Sequence, residues 1–342
     1  MSIYFDNAAT TELDPRVKDA LISHLDVYGN SSSLHKLGRD AKFLLNEARR
    51  NVAAFIGADE SEIVFTPSAS AANNLVLKSF EHIISSDIEH PSVDEIVENK
   101  FRPSEVLGAI TPDTELVSMM YVNNETGEIL PVEELLSERP EGVLVHIDAV
   151  QAIGAIDIDV RKLNVDFLSL SLHKIHGLKG VGALYIKKGH HLKTLIAGGG
   201  QESGLISGTQ DVVGIYASTL ALESLPKLGL KAKLIEELNK NEIEFELNSS
   251  ENSVEKTVNL RLAGVKNDRL LANLDLEEIY ISAGSACSAG ALKASRVLKN
   301  MGLSDVAASE SIRISFSKYN TDAEVVEFVK KLKKIISRMR GN

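Results

Sequence analysis

The sequence is poor in cysteine and has no long apolar run, and each shortage excludes a class of structure. Cys287 is the single cysteine among 342 residues, so the chain can form neither an internal disulfide nor a metal site built from several thiolates. No stretch approaches the roughly 20 apolar residues that a membrane-spanning helix needs, and the first residues lack a basic segment followed by an apolar run. These absences predict a cytoplasmic protein.

Charge and spacing also argue against nucleic acids, membranes and metals as partners. The chain has 48 acidic against 37 basic residues, a net charge of −11. This surplus repels phosphate backbones and anionic membrane surfaces, so we expect no direct binding to nucleic acid or membrane. The adjacent His190 and His191 diverge on a helix or a strand, and we interpret them as surface residues. We therefore predict no metal site.

Strand-like and amphipathic segments alternate through the first two thirds of the chain, which predicts an α/β fold with a mostly parallel, mixed sheet. A chain of this length with 44% hydrophobic residues usually forms two domains. We predict a large domain at residues 13–225 and a smaller α+β domain at 226–342, with residues 1–12 packing near the smaller one. A capping box, Thr321-Asp-Ala-Glu324, should begin a structural last helix. The predicted strands of the large domain cover residues 62–65, 116–122, 143–147, 167–170 and 181–186.

Two residues that follow predicted strands carry the main functional signal. Lys174 precedes a turn that contains Gly177, Gly180 and Gly182, and Asp148 closes an earlier strand. Ligands bind beyond the carboxyl ends of strands in such sheets, so the two side chains should converge there. An aldehyde cofactor needs an amine for a Schiff base and a carboxylate that keeps its ring nitrogen protonated. The pair predicts a pyridoxal phosphate site, and the alternative is a surface lysine with an unrelated aspartate.

The segment 65–74 ends a strand and opens a helix, with small hydroxyl residues at the positions of N-caps. The backbone amides at such a helix start can hold a phosphate. Many ordinary helices begin in the same way, so the segment becomes a candidate phosphate site only in combination with Lys174.

Two further residues are candidates for chemistry. His90 could be an ordinary loop histidine, or its imidazole could stack on the cofactor ring and relay protons near neutral pH. Cys287 lies among small, polar residues, where an exposed thiol on a loop is a candidate nucleophile. The alternative for a single cysteine is a buried, inert side chain.

The order of several motifs carries a family resemblance over nearly the whole chain. These motifs are Tyr4-Phe-Asp-Asn-Ala-Ala-Thr-Thr11, Gly29-Asn-Ser-Ser-Ser-Leu-His35, Val122-Asn-Asn-Glu-Thr-Gly127, Gly198-Gly-Gly-Gln-Glu202, Ser207-Gly-Thr209, Gly284-Ser-Ala-Cys-Ser288 and Ile312-Arg-Ile-Ser-Phe-Ser317. In this order they resemble the cysteine desulfurases of the nitrogen-fixation and iron–sulfur assembly type. Those proteins belong to the class V aminotransferase-like family of fold-type I pyridoxal phosphate enzymes.

The resemblance implies a role in cofactor binding for each matching residue. Lys174 would form the Schiff base, Asp148 would bind the pyridine nitrogen, and His90 would stack on the ring. Family active sites lie at a dimer interface, so the resemblance also implies a homodimer. The remaining cofactor contacts would be Gln151 and Asn124 at the phenolic oxygen or the substrate, Ser70, Ser171 and His173 at the phosphate, and Thr209 from the second subunit.

The resemblance also implies a substrate and a reaction. Asn30 and Arg313 would hold the carboxylate of L-cysteine, a task suited to a guanidinium. Cys287 would take the sulfur as a persulfide, leaving L-alanine as the other product. A sulfur-acceptor protein, either a scaffold for clusters or a thiolation enzyme, would then receive the sulfur.

The chain departs from the family pattern at three places, and these departures keep alternatives open. Residues 67–71 read Pro-Ser-Ala-Ser-Ala where the family has Ser-Gly-Gly-Thr-Glu, Ile206 replaces an arginine, and Ser31 replaces a proline. One alternative is a related pyridoxal phosphate lyase or aminotransferase-like enzyme in which Cys287 is dispensable. The other is a cofactor-free homologue that acts as a binding partner.

Overall fold

The computed structural model describes residues 2–223, 229–284 and 294–341. The chain divides into two compact units. The large unit comprises Glu12–Tyr121 and Leu130–Leu225, and the small unit comprises Met1–Thr11, Val122–Ile129 and Pro226–Asn342. The segment 122–129, which the sequence analysis included in the large domain, thus belongs to the small unit. Its backbone is held there by a β-bridge between Glu128 and Ser253.

The strands are short. The five that the sequence predicts in the large domain begin and end within two residues of the predicted positions, whereas two further strands, at residues 83–86 and 99–101, were not predicted. In chain order, the strands are β1 (Ile3–Tyr4), β2 (Ile63–Thr66), β3 (Ile83–Ser86), β4 (Asn99–Phe101), β5 (Leu116–Met120), β6 (Leu144–Asp148), β7 (Phe167–Ser171), β8 (Gly182–Ile186), β9 (Glu246–Leu247), β10 (Thr257–Arg261), β11 (Ile279–Tyr280) and β12 (Ser311–Ser315).

The helices connect and cover these strands. They are α1 (Pro15–His24), α2 (Lys36–Ile56), α3 (Ala69–Leu77), α4 (Pro91–Asp94), α5 (Val132–Glu138), α6 (Val160–Leu163), α7 (Val212–Thr219), α8 (Leu230–Lys240), α9 (Asn267–Asp275), α10 (Arg296–Asn300), α11 (Asp305–Ala308) and α12 (Asp322–Met339). Within the described ranges, no helix combines the length and the apolarity needed to cross a membrane.

The large unit is built on a seven-stranded sheet in the order β2-β8-β7-β6-β5-β3-β4. The neighbours from β7 to β4 pair in parallel, whereas β8 is antiparallel to both β7 and β2. Strands β5, β6 and β7 are buried almost throughout, as is typical of a sheet covered by helices on both faces. The predicted α/β fold with a mostly parallel, mixed sheet is therefore confirmed.

The small unit has its own apolar core around an antiparallel sheet of β12, β10 and β9 and a parallel pair of β1 and β11. Phe5 packs edge-on against Phe316 and Phe328, with ring centroids 5.1 and 5.7 Å apart. Helix α12 begins at the predicted capping box, in which Thr321 and Glu324 each accept a hydrogen bond from the other's backbone amide. Its buried residues lie in the apolar core of the small unit, so the predicted structural role of this helix is confirmed; they are Val325, Phe328, Val329, Leu332, Ile335 and Ile336.

Candidate active site

The carboxyl edge of the large sheet gathers the ends of several strands in one place. Asp148 is the last residue of β6 and Ser171 the last residue of β7, the parallel neighbour of β6. A single 3₁₀ turn, Leu172–Lys174, follows β7 directly. The sheet topology therefore brings Lys174 to the edge at which Asp148 lies.

The Asp148 carboxylate is buried and held in a fixed orientation. Its Oδ1 accepts a hydrogen bond from the backbone amide of Val150 at 3.0 Å, and its Oδ2 accepts one from Nδ2 of Asn73 at 2.9 Å. A carboxylate with one contact on each oxygen cannot rotate without losing both hydrogen bonds. Asp148 is thus preorganised to face a positively charged or N–H group.

Helix α3 starts at the same edge, as the sequence predicts. Ser68 is its N-cap and accepts a hydrogen bond from the amide of Ala71 at 3.1 Å, and Ser70 lies in the first turn. A Cβ placed on Gly182 would lie 2.7 Å from the carbonyl carbon of Ser68 and 2.9 Å from the nitrogen of Ala69. The first residue of β8 therefore packs directly on the backbone of this helix start, which only glycine permits.

His173 and Lys174 lie next to each other in a half-buried turn. Burial, and then the positive charges of Lys174 and Lys179, lower the pKa of His173 to about 4. The imidazole is therefore neutral at neutral pH and can form hydrogen bonds without adding charge. The positive charge in this turn comes from the lysines.

His90 is the N-cap of α4 and is connected to Asp148 through two side chains. Its Nδ1 lies 2.8 Å from Oγ of Ser92, and Oγ of Ser92 accepts a hydrogen bond from Nδ2 of Asn73 at 2.9 Å. That same Nδ2 reaches Asp148. Gln151, the remaining predicted residue at this edge, is buried in the turn that follows β6.

Asn30 and Thr209 lie elsewhere in the large unit, and both are exposed. Oδ1 of Asn30 accepts a hydrogen bond from the amide of Ser32 at 2.9 Å. The residues that follow them in the sequence, Ser31 and Gln210, form a hydrogen bond, in which Oγ of Ser31 donates to Oε1 of Gln210 at 2.8 Å. Ser31 is one of the departures from the family pattern, and its hydroxyl makes a contact that a proline could not make.

Arg313 and Asn124 belong to the small unit and contact each other there. Nη1 of Arg313 donates to the backbone oxygen of Asn124 at 2.8 Å, and Nη2 donates to Oδ1 of Asp6 at 2.8 Å. Within the described residues, Nε of Arg313 and Oδ1 of Asn124 are buried without a hydrogen-bond partner. A buried donor and a buried acceptor of this kind are suited to a polar ligand.

Cys287, Ile206 and His190 lie away from this edge or outside the described residues. Cys287 lies outside the described residues. Ile206 is buried in an apolar cluster with Phe167 and Leu184, so the residue that replaces the family arginine belongs to the core. His190 was interpreted as a surface residue, but its ring is half-buried, packs 5.4 Å from the ring of Phe167 and contacts Asp166 at 2.9 Å, so that interpretation is corrected.

The residues at this edge fit pyridoxal phosphate. The cofactor needs an amine, an oriented carboxylate and a set of amide and hydroxyl donors for its phosphate. Lys174 and Asp148 supply the first two, and the start of α3 with Ser171 and His173 supplies the third. Oδ1 of Asn73, which is buried beside Asp148 and has no hydrogen-bond partner within the described residues, leaves an acceptor for a bound group.

Sequence reasoning missed several residues that shape this site. Asn73 and Ser92 connect Asp148 to His90; Asn73 lies in the segment 65–74, which was considered only for its helix start, and Ser92 was not considered at all. Glu202 was noted only as part of a glycine-rich motif, yet its buried carboxylate contacts Arg49 and the amide of Phe65. The sequence feature that could have identified Asn73 is its position about one turn after the N-cap of α3, on the face of that helix that packs on the sheet.

The chain is similar to known proteins over almost all of its length. The family model for class V aminotransferases matches residues 3–99 and 88–328. "Cysteine desulfurase IscS" of Clostridium botulinum is 36% identical, with 99% of this chain and 95% of that protein covered. A solved "NifS-like protein" superposes with a TM-score of 0.89 at 35% identity, over 99% of this chain and 100% of that one.

A further solved structure, described as "SspA in complex with cysteine", superposes with a TM-score of 0.83 at 34% identity, over 94% of this chain and 100% of that one. Sequence and fold thus agree along the whole chain with the resemblance that the motifs indicate. The chain belongs to the class V aminotransferase family, in its cysteine desulfurase branch.

Proposed function

We propose that the protein is a pyridoxal phosphate-dependent cysteine desulfurase, which converts L-cysteine to L-alanine and transfers the sulfur to Cys287. One observation carries the proposal: Asp148 is buried and held by two hydrogen bonds at the end of β6, next to the strand that leads into Lys174. That is the arrangement which a pyridine nitrogen and an aldehyde require. The relatives named for cysteine desulfurase activity support the same reaction.

Different residues would bind different parts of the cofactor. Asp148 would pair with the pyridine nitrogen, His90 would pack against the ring, and Gln151 and Asn124 would bind the phenolic oxygen or the substrate. When bound, pyridoxal phosphate supplies an electron sink for the charge that develops at Cα of the substrate. The phosphate would be held by Ser70, Ser171, His173 and the amides at the start of α3, with Thr209 supplied by a second subunit.

Four residues act on the substrate. Arg313 and Asn30 would hold its carboxylate, and Nζ of Lys174, which would bind the cofactor aldehyde in the resting enzyme, would as a free amine remove the proton from Cα. The thiolate of Cys287 attacks Sγ of the substrate. The S–S bond of a persulfide forms, and the Cβ–Sγ bond breaks with its electron pair left on carbon. Protonation of Cβ, and return of the proton from Nζ of Lys174 to Cα, then give alanine.

Two partners complete the proposal. A homodimer is supported by the exposure of Thr209, whose role at the phosphate needs a second subunit. A sulfur-acceptor protein, either a scaffold or a thiolation enzyme, takes the persulfide sulfur. Sedimentation of the purified protein tests the dimer, and a monomer at micromolar concentration that still desulfurates cysteine would exclude a shared site.

Absorption spectra and two variants test the reaction. The purified protein should absorb near the visible edge, and Lys174→Ala should lose that band. Cys287→Ser should keep the band and lose sulfide release from cysteine. Unchanged sulfide release in Cys287→Ser would favour a related lyase that does not use the thiol. A colourless protein that added cofactor cannot reconstitute would instead favour the cofactor-free binding partner.

A further inference from the structure

His90 and Asp148 are the ends of a row of hydrogen bonds that no family motif predicts. The row runs from Nδ1 of His90 to Oγ of Ser92 (2.8 Å), from there to Nδ2 of Asn73 (2.9 Å), and from Nδ2 to Oδ2 of Asp148 (2.9 Å). Asn73 is 1% exposed and Asp148 5% exposed, so this end of the row is shielded from water. Hydrogen bonds in such surroundings are well defined in direction and costly to break.

The direction of each hydrogen bond follows from the amide of Asn73. Its Nδ2 can only donate, and it donates to the Asp148 carboxylate and to Ser92. The flipped amide would place Oδ1 against a carboxylate oxygen, which is repulsive, so the orientation is fixed. Oγ of Ser92 therefore accepts from Asn73 and directs its own proton to Nδ1 of His90.

A second donor reaches the same nitrogen of His90. The backbone amide of Ser92 donates to Nδ1 at 3.1 Å, as expected for an N-cap side chain. A backbone amide cannot reverse its role, so Nδ1 must present its lone pair. The imidazole then carries its proton on Nε2.

From this geometry we propose that Ser92 and Asn73 fix His90 as a neutral imidazole protonated on Nε2, so that it serves as a stationary hydrogen-bond donor and not as a proton shuttle. Asn73 cannot pass a proton along the row, because its amide donates in both directions and keeps its hydrogens. Lys174, and not His90, then transfers the proton at the substrate. Ser92 and Asn73 are positioning residues, since they act through His90 and Asp148.

The relevance to catalysis rests on the proposed function, which assigns His90 to the cofactor ring and Asp148 to its nitrogen. Asn73 lies on α3, whose first turn is assigned to the phosphate. One side chain thus connects three parts of the cofactor site. Its loss should disturb the electronic environment of the cofactor more than the overall fold.

The tautomer can be measured directly in the full-length protein without added cofactor. Protein labelled with ¹⁵N in its histidines would be studied by long-range ¹H–¹⁵N correlation near neutral pH, with His90→Gln identifying the resonances. We expect Nε2 of His90 to show the shift of a protonated nitrogen and Nδ1 that of a bare nitrogen. A proton on Nδ1, or on both nitrogens, would overturn the proposal.

Variants of Ser92 test the cause of the tautomer. In Ser92→Ala one of the two donors to Nδ1 is lost while the backbone amide remains, so the Nδ1 signal should shift further from that of a protonated nitrogen, and Ser92→Thr should restore it. Ser137→Ala is the matched control, because that hydroxyl only donates to the backbone oxygen of Glu134 on an exposed helix. A Ser92→Ala spectrum identical to that of the unaltered protein would contradict the assigned role.

A kinetic readout separates positioning from folding. Ser92→Ala should lower kcat for cysteine by about tenfold with little change in KM, the effect of one hydrogen bond on a group that acts after binding. Thermal unfolding checks that the variant is folded, and equal losses in Ser92→Ala and Ser92→Thr would count against the proposal. If the protein proves unable to bind cofactor, the proposed function fails. The tautomer of His90 can still be tested, because that measurement needs no cofactor.

Discussion

Arg49 binds Glu202 through both terminal nitrogens of its guanidinium, at 3.0 and 2.9 Å, in a buried part of the large unit. The carboxylate also accepts a hydrogen bond from the amide of Phe65 at 2.8 Å and one from the side chain of Gln210. Glu202 thereby joins α2, β2 and the loop that carries Thr209. A cavity of about 500 Å³ lies beside this ion pair.

The first prediction concerns this ion pair. Glu202→Gln should lower the free energy of unfolding by about 3 kcal/mol, because it leaves a poorly solvated guanidinium without its counter-charge. Glu47→Gln is the control, since Glu47 pairs with Arg50 on the surface and its loss should cost less than about 1 kcal/mol. Urea unfolding measures both. Equal effects of the two substitutions would show that burial does not strengthen the Arg49 pair.

The second prediction concerns the close approach at the start of α3. Gly182→Ala places a methyl group 2.7 Å from the backbone of Ser68, so the helix start must shift. Overpacking of this kind costs roughly 1–3 kcal/mol, and we expect cofactor affinity to fall by about tenfold or more. Gly108→Ala is the control, because a Cβ there meets nothing within 4 Å. Titration with pyridoxal phosphate, followed by absorption, would compare the two, and unchanged affinity in Gly182→Ala would remove this helix start from the phosphate site.

The third prediction concerns pH. His146 is fully buried between Oγ of Ser118 and Oγ of Ser169, at 2.8 and 2.9 Å, and burial lowers its pKa from 6.5 to about 4, against the opposing effect of Asp148. The unfolded chain therefore binds a proton between these two pH values that the folded chain does not bind. Stability should fall as pH decreases from 6.5 to about 4, by up to about 1.4 kcal/mol per pH unit for this one proton.

The test is the pH dependence of unfolding in urea. His146→Gln should be less stable at neutral pH, because it loses a buried hydrogen bond, but its stability should fall less steeply towards acid. His191→Gln alters an exposed residue and serves as the control. Parallel pH curves for His146→Gln and the unaltered protein would mean that this histidine does not contribute to acid sensitivity.

The fourth prediction concerns substrate binding. Arg313→Lys removes the planar fork that donates to the backbone oxygen of Asn124 and to the side chain of Asp6, and it removes the buried Nε. The KM for cysteine should rise by roughly tenfold or more, since a lysine cannot present the same paired donors to a carboxylate. Arg261→Lys, on the neighbouring strand β10 and paired with Glu310 at 2.9 Å, is the matched control. Steady-state kinetics with cysteine would decide, and a KM equal to that of the control would exclude a carboxylate contact.

The sequence by itself determined the class of fold and which residues are proposed for the site. Buried runs of branched residues separated by helical periodicity specify a mostly parallel sheet, and the topology of such a sheet places Asp148 and the turn of Lys174 at one edge. The capping box at Thr321 fixed the start of α12 for the same reason, because local hydrogen bonds define helix ends. These features depend on neighbours in sequence or on the general geometry of sheets.

Only the tertiary structure decided which side chains support those residues. Asn73 and Asp148 are 75 residues apart, and Arg49 and Glu202 are 153 residues apart, so no local pattern relates the members of either pair. The assignment of segment 122–129 to the small unit likewise rests on its pairing with residues far along the chain. Hydrogen bonds and ion pairs of this kind depend on the packing of whole elements. The side chains that are proposed for the chemistry can be read from the sequence, but the partners that orient them are set only when the chain has folded.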